Sequence, residues 1–250
     1  MKLSANRLLI LSISLSSIFL CTAYSAGNPQ GRLLYLDVNQ PVESRVNDLL
    51  KRMTLDEKLA QIQCIWQKKS AFIDKKGNLL PDSAAVYLKH GIGQIGRPSE
   101  GFDRSTNTGR TAEENARFTN QIQRFLKEKT RLGIPAFFHE ECLHGHAAKD
   151  GTSFPQPIGF ASSWNRQLVE ELFTMTAREA RSRGTHLALT PVVDVVRDPR
   201  WGRTEETYGE DPYLCGEIGL AAIYGFQGKG KTIDSEHVMA TLKHMTGHGQ

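Results

Sequence analysis

The residues with the richest chemistry follow an apolar run in the second half of the chain. Leu187 to Val196 is apolar and rich in β-branched residues, as is typical of a buried strand in a parallel sheet. The charged residues that follow it are Arg197, Asp198, Arg200, Arg203, Glu205, Glu206, Glu210 and Asp211. Parallel α/β folds build sites at the carboxyl ends of strands, so the stretch predicts a site. A surface loop held by arginine–carboxylate pairs fits it equally well.

Three other apolar runs, at 92–95, 134–138 and 238–242, are also predicted strands that end in polar residues. The polar residues after them are Arg97, then His139, Glu140, Glu141, His144 and His146, then Lys243, His244 and His248. Loops that follow parallel strands converge on one face, so these side chains would line one pocket. Such a mixture of donors and acceptors suits a polyhydroxylated ligand. Phosphate is disfavoured because the sequence has no Gly-rich cradle followed by Lys and Ser/Thr.

The histidine-rich stretch 139–146 also allows a metal-site hypothesis. It resembles a zinc-protease helix, but that motif requires its second histidine at position 143, where leucine stands. Histidines five residues apart do not share a helical face, which disfavours zinc, and we expect no metal. The alternative of a metal-dependent barrel hydrolase stays open. Its ligands would be His139, Glu141, His144 and His146.

The elements that must position these residues alternate between helix and strand. Val46, Leu49, Leu50 and Met53 share one face of a predicted first helix. Capping boxes at Thr54 and Thr111 predict further helix starts, and the helix that begins at Thr54 would turn Leu59, Ile62 and Ile65 inward. Further helix patterns cover 84–89, 111–129, 165–182 and 212–227. Strand, loop and helix repeat at roughly 40–55-residue spacing, which predicts an α/β fold with a parallel sheet.

The first 25 residues have a different character. Lys2 and Arg7 precede an apolar, Ser-spaced run from Leu8 to Leu20. The run is shorter than the roughly 20 residues that span a membrane, so it predicts a secretory signal peptide cleaved after Ser25. We therefore expect a secreted or periplasmic protein with no membrane segment after signal removal. A leader arm over 26–45 and a folded domain over 46–250 would follow.

Charge and cysteine content exclude several function classes. The chain has 31 Lys and Arg against 27 Asp and Glu, a net charge of +4. Removing Lys2 and Arg7 leaves +2 (4 − 2), without a basic stripe, so we expect no nucleic-acid partner. Loss of Cys21 leaves three cysteines, too few for a disulfide framework, although one bridge would still fit. Cys142 is interpreted as core or pocket wall, and no cofactor is expected.

Several motifs, in this order along the chain, resemble glycoside hydrolase family 3. They are Leu-Leu-Lys-Arg-Met-Thr-Leu-Asp-Glu-Lys at 49–58, Leu-His-Gly-His at 143–146, Phe-Pro-Gln-x-Ile-Gly-x-Ala-Ser-Ser-Trp-Asn at 154–165, Asp-Pro-Arg-Trp-Gly-Arg at 198–203, Glu-x-Tyr-Gly-Glu-Asp at 206–211 and Lys-His-x-x-Gly-x-Gly at 243–249. The resemblance covers about Val46 to Gln250. It implies an incomplete (β/α)8 TIM-like barrel, the N-terminal portion of a catalytic domain.

The resemblance implies an exo-acting retaining β-glycosidase. Its substrates would be oligosaccharides or aryl and alkyl glycosides with terminal β-D-glucosyl or β-D-xylosyl residues. The family pattern places Glu141, Arg203, Lys243 and His244 on the hydroxyls of the terminal sugar. The family most often has aspartate where Glu141 stands. The longer side chain should crowd the pocket, which predicts a preference for xylose over glucose.

The resemblance also implies a carboxylate nucleophile and a second carboxylic acid that acts as acid and base. The family's nucleophile is an aspartate before an aromatic residue, and Ser/Ala-Asp-Trp/Tyr/Phe occurs nowhere in these 250 residues. We therefore expect both catalytic groups beyond Gln250 and no turnover by this chain alone. Glu205, Glu206, Glu210 and Asp211 are interpreted as partners of the arginines. A secreted sugar-binding barrel without catalysis is the remaining alternative.

Overall fold

The computed structural model describes residues 33–74, 77–100, 109–245 and 247–249. The predicted signal peptide and residues 26–32 of the predicted arm lie outside the described residues. The chain divides into two compact units after Lys51.

The first unit contains a 3-10 helix at Leu34–Leu36 and most of helix α1, which covers Val42–Arg52. The backbone N–H of Tyr35 donates to Asp48 at 3.2 Å, and the Arg45 guanidinium donates to the Tyr35 carbonyl at 3.0 Å. These bonds hold the 3-10 turn on α1. The helix therefore begins inside the range 26–45 that the sequence suggests is an arm.

The second unit is a parallel sheet with helices. The helices are α2 (Leu55–Gln61), α3 (Pro81–Tyr87), α4 (Ala112–Lys129), α5 (Pro157–Ala161), α6 (Arg166–Ser182) and α7 (Pro212–Gln227). The strands are β1 (Cys64–Ile65), β2 (Gln94–Gly96), β3 (Phe137–Glu140), β4 (Leu187–Ala188) and β5 (Met239–Ala240). The five strands pair in sequential order and all in parallel. This α/β arrangement is that of the first strands of a (β/α)8 barrel and confirms the predicted fold class.

The start of the sheet differs from the prediction, because four strands are predicted and the described residues contain five. The capping box at Thr54 is present, but α2 ends at Gln61 and the chain enters β1. Leu59 and Ile62 are 44% and 82% exposed, so their predicted inward orientation is wrong. A two-residue strand directly after a helix leaves too little periodicity to be seen in the sequence.

The central strand is also shorter than predicted. Only Leu187–Ala188 of the predicted run 187–196 belongs to β4. Pro191 has no N–H and cannot donate to a sheet ladder, and its peptide bond with Thr190 is cis. Val192 then rejoins the sheet through a parallel bridge to Lys243. The segment after β4 therefore runs along the edge where the site lies.

Two apolar clusters pack the helices onto the sheet. One includes Phe160, Phe173 and Phe226, and the other includes Phe118 and Phe138. Helices α6 and α7 pack closely against each other. No helix in the part of the chain that the structure describes has the length and apolar character needed to cross a membrane.

Candidate functional site

Polar side chains from four strand ends meet at the carboxyl edge of the sheet. Trp66 directly follows β1, Arg97 follows β2 and Glu141 follows β3. Lys243 lies three residues after β5. Parallel strands present their carboxyl ends at one edge, which is why residues so distant in sequence become neighbours.

Glu141 lies at the centre of this edge. Its Oε1 accepts a hydrogen bond from the Arg97 guanidinium at 2.7 Å, and its Oε2 accepts one from Lys243 Nζ at 3.1 Å. The side chains of Glu141 and Lys243 are 20% and 13% exposed, so both are largely withdrawn from water. The structure thus brings together two of the four residues that the sequence singles out.

Arg203, the third of these residues, is held by a neighbouring acid. Its guanidinium donates to Glu206 twice, at 2.8 and 2.6 Å, in a two-pronged ion pair. The hydrogen bond to Glu206 raises the pKa of Arg203, and the charges of Glu141 and Asp194 raise it further. The carboxylate of Glu206 therefore braces the arginine, as predicted, and Arg203 lies within electrostatic reach of Glu141.

His244, the fourth residue, is fixed by the buried Asp194. Asp194 Oδ2 lies 2.6 Å from His244 Nδ1 and also accepts the His244 backbone N–H at 3.1 Å. Its Oδ1 accepts the backbone N–H of His248 at 2.8 Å. Burial alone would raise the pKa of Asp194, but these hydrogen bonds lower it below its usual value. An ionised carboxylate only accepts, so Nδ1 of His244 is the donor in this pair.

A cavity of about 470 Å³ opens beside this pair. It is lined by Asp194, Arg197, Lys243, His244 and His248, and its volume lies in the range of small-molecule sites. The peptide bond between Lys243 and His244 is cis.

Trp66, Arg97 and Glu100 form a second layer behind Glu141. The Arg97 guanidinium lies 4.1 Å from the centre of the Trp66 ring and donates to Glu100 at 3.1 Å. The indole Nε1 donates to the other oxygen of Glu100 at 2.7 Å. Burial alone would raise the pKa of Glu100. The hydrogen bonds from Trp66 and Arg97 outweigh this effect, so the pKa is lowered below its usual value.

The histidines of the metal hypothesis do not converge. His139 Nδ1 lies 3.0 Å from Gln94, and His144 Nδ1 lies 3.4 Å from Ser153. His146 is buried, and burial lowers its pKa to about 4. Across residues 33–74, 77–100, 109–245 and 247–249, no group of three His, Cys, Asp or Glu side chains is arranged to hold a metal ion. The donor geometry therefore gives the metal-dependent alternative no support.

Glu140 and Trp201 contact other residues of the site region. Glu140 is 1% exposed and accepts the Ser99 backbone N–H at 2.6 Å, and burial raises its pKa to about 7. Trp201 packs edge-on against His248, with ring centres 4.9 Å apart. The three cysteines Cys64, Cys142 and Cys215 are free.

Sequence reasoning missed Asp194 and Trp66 as parts of the site. Asp194 is a carboxylate inside an apolar run, and such a residue needs a buried partner. That signal was available, but it does not name His244 as the partner. Trp66 follows a strand too short to predict, so nothing in the sequence places it at the sheet edge.

The fold and the site together define a class of protein. The protein is an α/β protein with sequential parallel strands, whose carboxyl edge gathers acid, guanidinium, ammonium and imidazole groups. The sequence model of the glycosyl hydrolase family 3 N terminal domain matches residues 54–250. The chain belongs to glycosyl hydrolase family 3.

Relatives and solved structures agree with this assignment. A periplasmic β-glucosidase of Salmonella typhimurium is 34% identical over 82% of this chain and 23% of its own length. A β-xylosidase of Formosa agariphila is 43% identical over 47% of this chain and 17% of its own length. The structure of a β-glucosidase from Erythrobacter marinus superposes with a TM-score of 0.75 at 34% identity, covering 86% of this chain and 27% of that one. The chain therefore spans less than a third of the length of each of these three proteins.

Proposed function

We propose that this chain supplies the terminal-sugar pocket of an exo-acting retaining β-glycosidase. The substrates are oligosaccharides or aryl and alkyl glycosides that end in a β-D-glucosyl or β-D-xylosyl residue. The observation that carries the proposal is the contact of Glu141 with Lys243, beside Arg203 and His244, at the strand edge of a family 3 chain.

The chemistry of these four residues matches adjacent sugar hydroxyls. Each hydroxyl donates one hydrogen bond and accepts others. The Glu141 carboxylate accepts, Lys243 and Arg203 donate, and His244, whose Nδ1 is bound to Asp194, offers its Nε2. Because these groups are already held by Arg97, Glu206 and Asp194, little side-chain ordering is needed when sugar binds.

The retaining mechanism divides the work between binding and bond cleavage. A carboxylate attacks the anomeric carbon while a carboxylic acid protonates the leaving oxygen. That acid, now deprotonated, then acts as the base that activates water. No Ser/Ala-Asp-aromatic sequence occurs in these 250 residues. The proposal therefore assigns sugar binding, and not bond cleavage, to this chain, and the purified 250-residue chain is expected to release no product from aryl glycosides.

We further propose export of the protein through the signal at 1–25. The basic start, short apolar run and small residues before Ala26 support this, as does the similarity to a periplasmic β-glucosidase of Salmonella typhimurium. N-terminal sequencing of the exported protein tests it. The expected first residue is Ala26.

The test of the sugar pocket compares two lysine substitutions in the enzyme that carries this chain. Lys243→Met removes the ammonium group that pairs with Glu141, whereas Lys229→Met removes an ammonium group that pairs with Glu170 on α6. We expect kcat/KM for an aryl β-glycoside to fall at least 100-fold in the first variant and to stay unchanged in the second. Nuclear magnetic resonance of the first-formed sugar should show the β-anomer. Equal activity of both variants, or an α-anomer product, would refute the proposal.

A further inference from the structure

Arg97 is the residue that joins the sugar pocket to the second layer behind it. Its Nη2 lies 2.7 Å from Glu141 Oε1, and its Nη1 lies 3.1 Å from Glu100 Oε1. The guanidinium plane is covered by the Trp66 ring at 4.1 Å.

The backbone of Arg97 is held as firmly as its side chain. Its φ of +45° lies in the left-handed region, which non-glycine residues seldom adopt. Residues held in this conformation are found most often at functional sites. Lys69 Nζ, on a buried side chain, donates to the carbonyl oxygens of Gly96 and Arg97 at 2.5 and 3.1 Å. The backbone N–H of Arg97 donates to the carbonyl of His139 on β3 at 2.7 Å. The guanidinium thus has a fixed origin relative to the strand that carries Glu141.

The two cations that contact Glu141 come from opposite sides of β3. Arg97 follows β2, the neighbour of β3 on one side, and Lys243 follows β5, two strands away on the other. Each cation takes a different carboxylate oxygen, so both the position and the plane of the carboxylate are determined. Without Arg97, the flexible ammonium of Lys243 would be the remaining hydrogen-bond partner of this carboxylate among the described residues, and Oε1 would turn toward water.

We propose that Arg97 is a positioning residue for sugar binding, which acts on the substrate through Glu141 and is itself braced by Trp66 and Glu100. This inference rests on the proposed function, because it requires that Glu141 contact the terminal sugar. It assigns Arg97 no direct contact with substrate. Its contribution to affinity should therefore disappear when Glu141 can no longer accept a charged hydrogen bond.

The test is a double-mutant cycle in the enzyme that carries this chain, with aryl β-xyloside as substrate. Arg97→Gln should lower kcat/KM about 10- to 100-fold, the range for a lost hydrogen bond to a charged group. The same substitution in a Glu141→Gln background should cost less than about threefold. Arg178→Gln, which breaks an exposed ion pair with Glu236, is the matched control and should leave kcat/KM unchanged.

A second variant covers a failure of Arg97→Gln to fold. Arg97→Lys keeps the charge and the same backbone constraint but lacks the planar fork that reaches both acids, so it should lose part of kcat/KM with the same dependence on Glu141. Thermal unfolding of each variant separates loss of structure from loss of positioning, because a variant that keeps the melting temperature of the unchanged enzyme but loses kcat/KM has lost positioning alone.

The outcomes separate the two proposals. If Glu141→Gln lowers kcat/KM and the Arg97 effect vanishes in its background, the positioning role stands. The positioning role is overturned if Glu141→Gln lowers kcat/KM while Arg97 substitutions have no effect. It is also overturned if Arg97→Gln lowers kcat/KM by the same factor with and without Glu141. In both cases the sugar-pocket proposal still stands. If Glu141→Gln and Lys243→Met both leave kcat/KM unchanged, the proposed function is refuted, and the inference with it.

Discussion

Replacing Glu141 by aspartate would test how the length of this side chain selects the sugar. The substitution removes one methylene and withdraws the carboxylate by about 1.5 Å. The contacts with Arg97 and Lys243, now 2.7 and 3.1 Å, would lengthen beyond hydrogen-bond range if the backbone stays in place. The pocket would gain the space of about one methylene.

The expected magnitude follows from two opposing effects. Loss of the two charge-assisted hydrogen bonds weakens binding of glucosides and xylosides alike, so it lowers both kcat/KM values. The added space favours only glucose, which carries a hydroxymethyl group where xylose carries hydrogen. One methylene in a pocket changes discrimination by about 1–3 kcal/mol. The ratio of kcat/KM for glucoside over xyloside should therefore rise at least 10-fold in Glu141→Asp.

The assay uses aryl β-D-glucoside and aryl β-D-xyloside with the same leaving group, so that only the sugar differs. Initial rates at substrate concentrations well below KM give both kcat/KM values directly. Glu236→Asp, on an exposed side chain paired with Arg178, is the matched control and should leave the ratio unchanged. The reasoning is refuted if the unchanged enzyme hydrolyses the glucoside much faster than the xyloside. It is also refuted if Glu141→Asp leaves the ratio constant or shifts it toward xylose.

Three further predictions concern the scaffold and the imidazole of the site. Hydrogen bonding to Arg131 holds the pKa of buried Glu57 at about 2 against 4.5, which corresponds in full to about 3 kcal/mol. Because Arg131 is 53% exposed and its charge is screened by solvent, Glu57→Gln should lower the free energy of unfolding by about 2 kcal/mol at pH 7. That stabilisation is present above pH 4.5 and is lost as pH falls toward 2, so urea unfolding should show the two proteins converging in acid. Gly225→Ala would place a Cβ 2.6 Å from a backbone oxygen of α6 and should lower the melting temperature, whereas Gly216→Ala in the same helix meets nothing within 4 Å and should not. Asp194→Asn should lower kcat/KM for aryl β-glycosides at least 10-fold because His244 loses its charged partner, and an unchanged value would contradict that role.

Local sequence determined the elements whose signals lie within a few residues. The capping boxes at Thr54 and Thr111 both form, and α7 begins and ends where its pattern predicts, at Pro212 and Gln227. Its position after a predicted strand also places Glu141 among the candidate site residues. Helix caps and the polar residues after a strand depend on neighbours along the chain, so a single sequence contains them.

The sheet start and the partners within the site were decided by tertiary structure. Strand β1 exists because Cys64 and Ile65 pair with β2, since two residues have no periodicity of their own. Glu141 meets Arg97 across 44 residues and Lys243 across 102, and His244 meets Asp194 across 50. The sequence determines which charges the chain carries. The choice of ion-pair partners depends on strand order and on how deeply each side chain is buried. Strand order and burial are set only when the sheet forms.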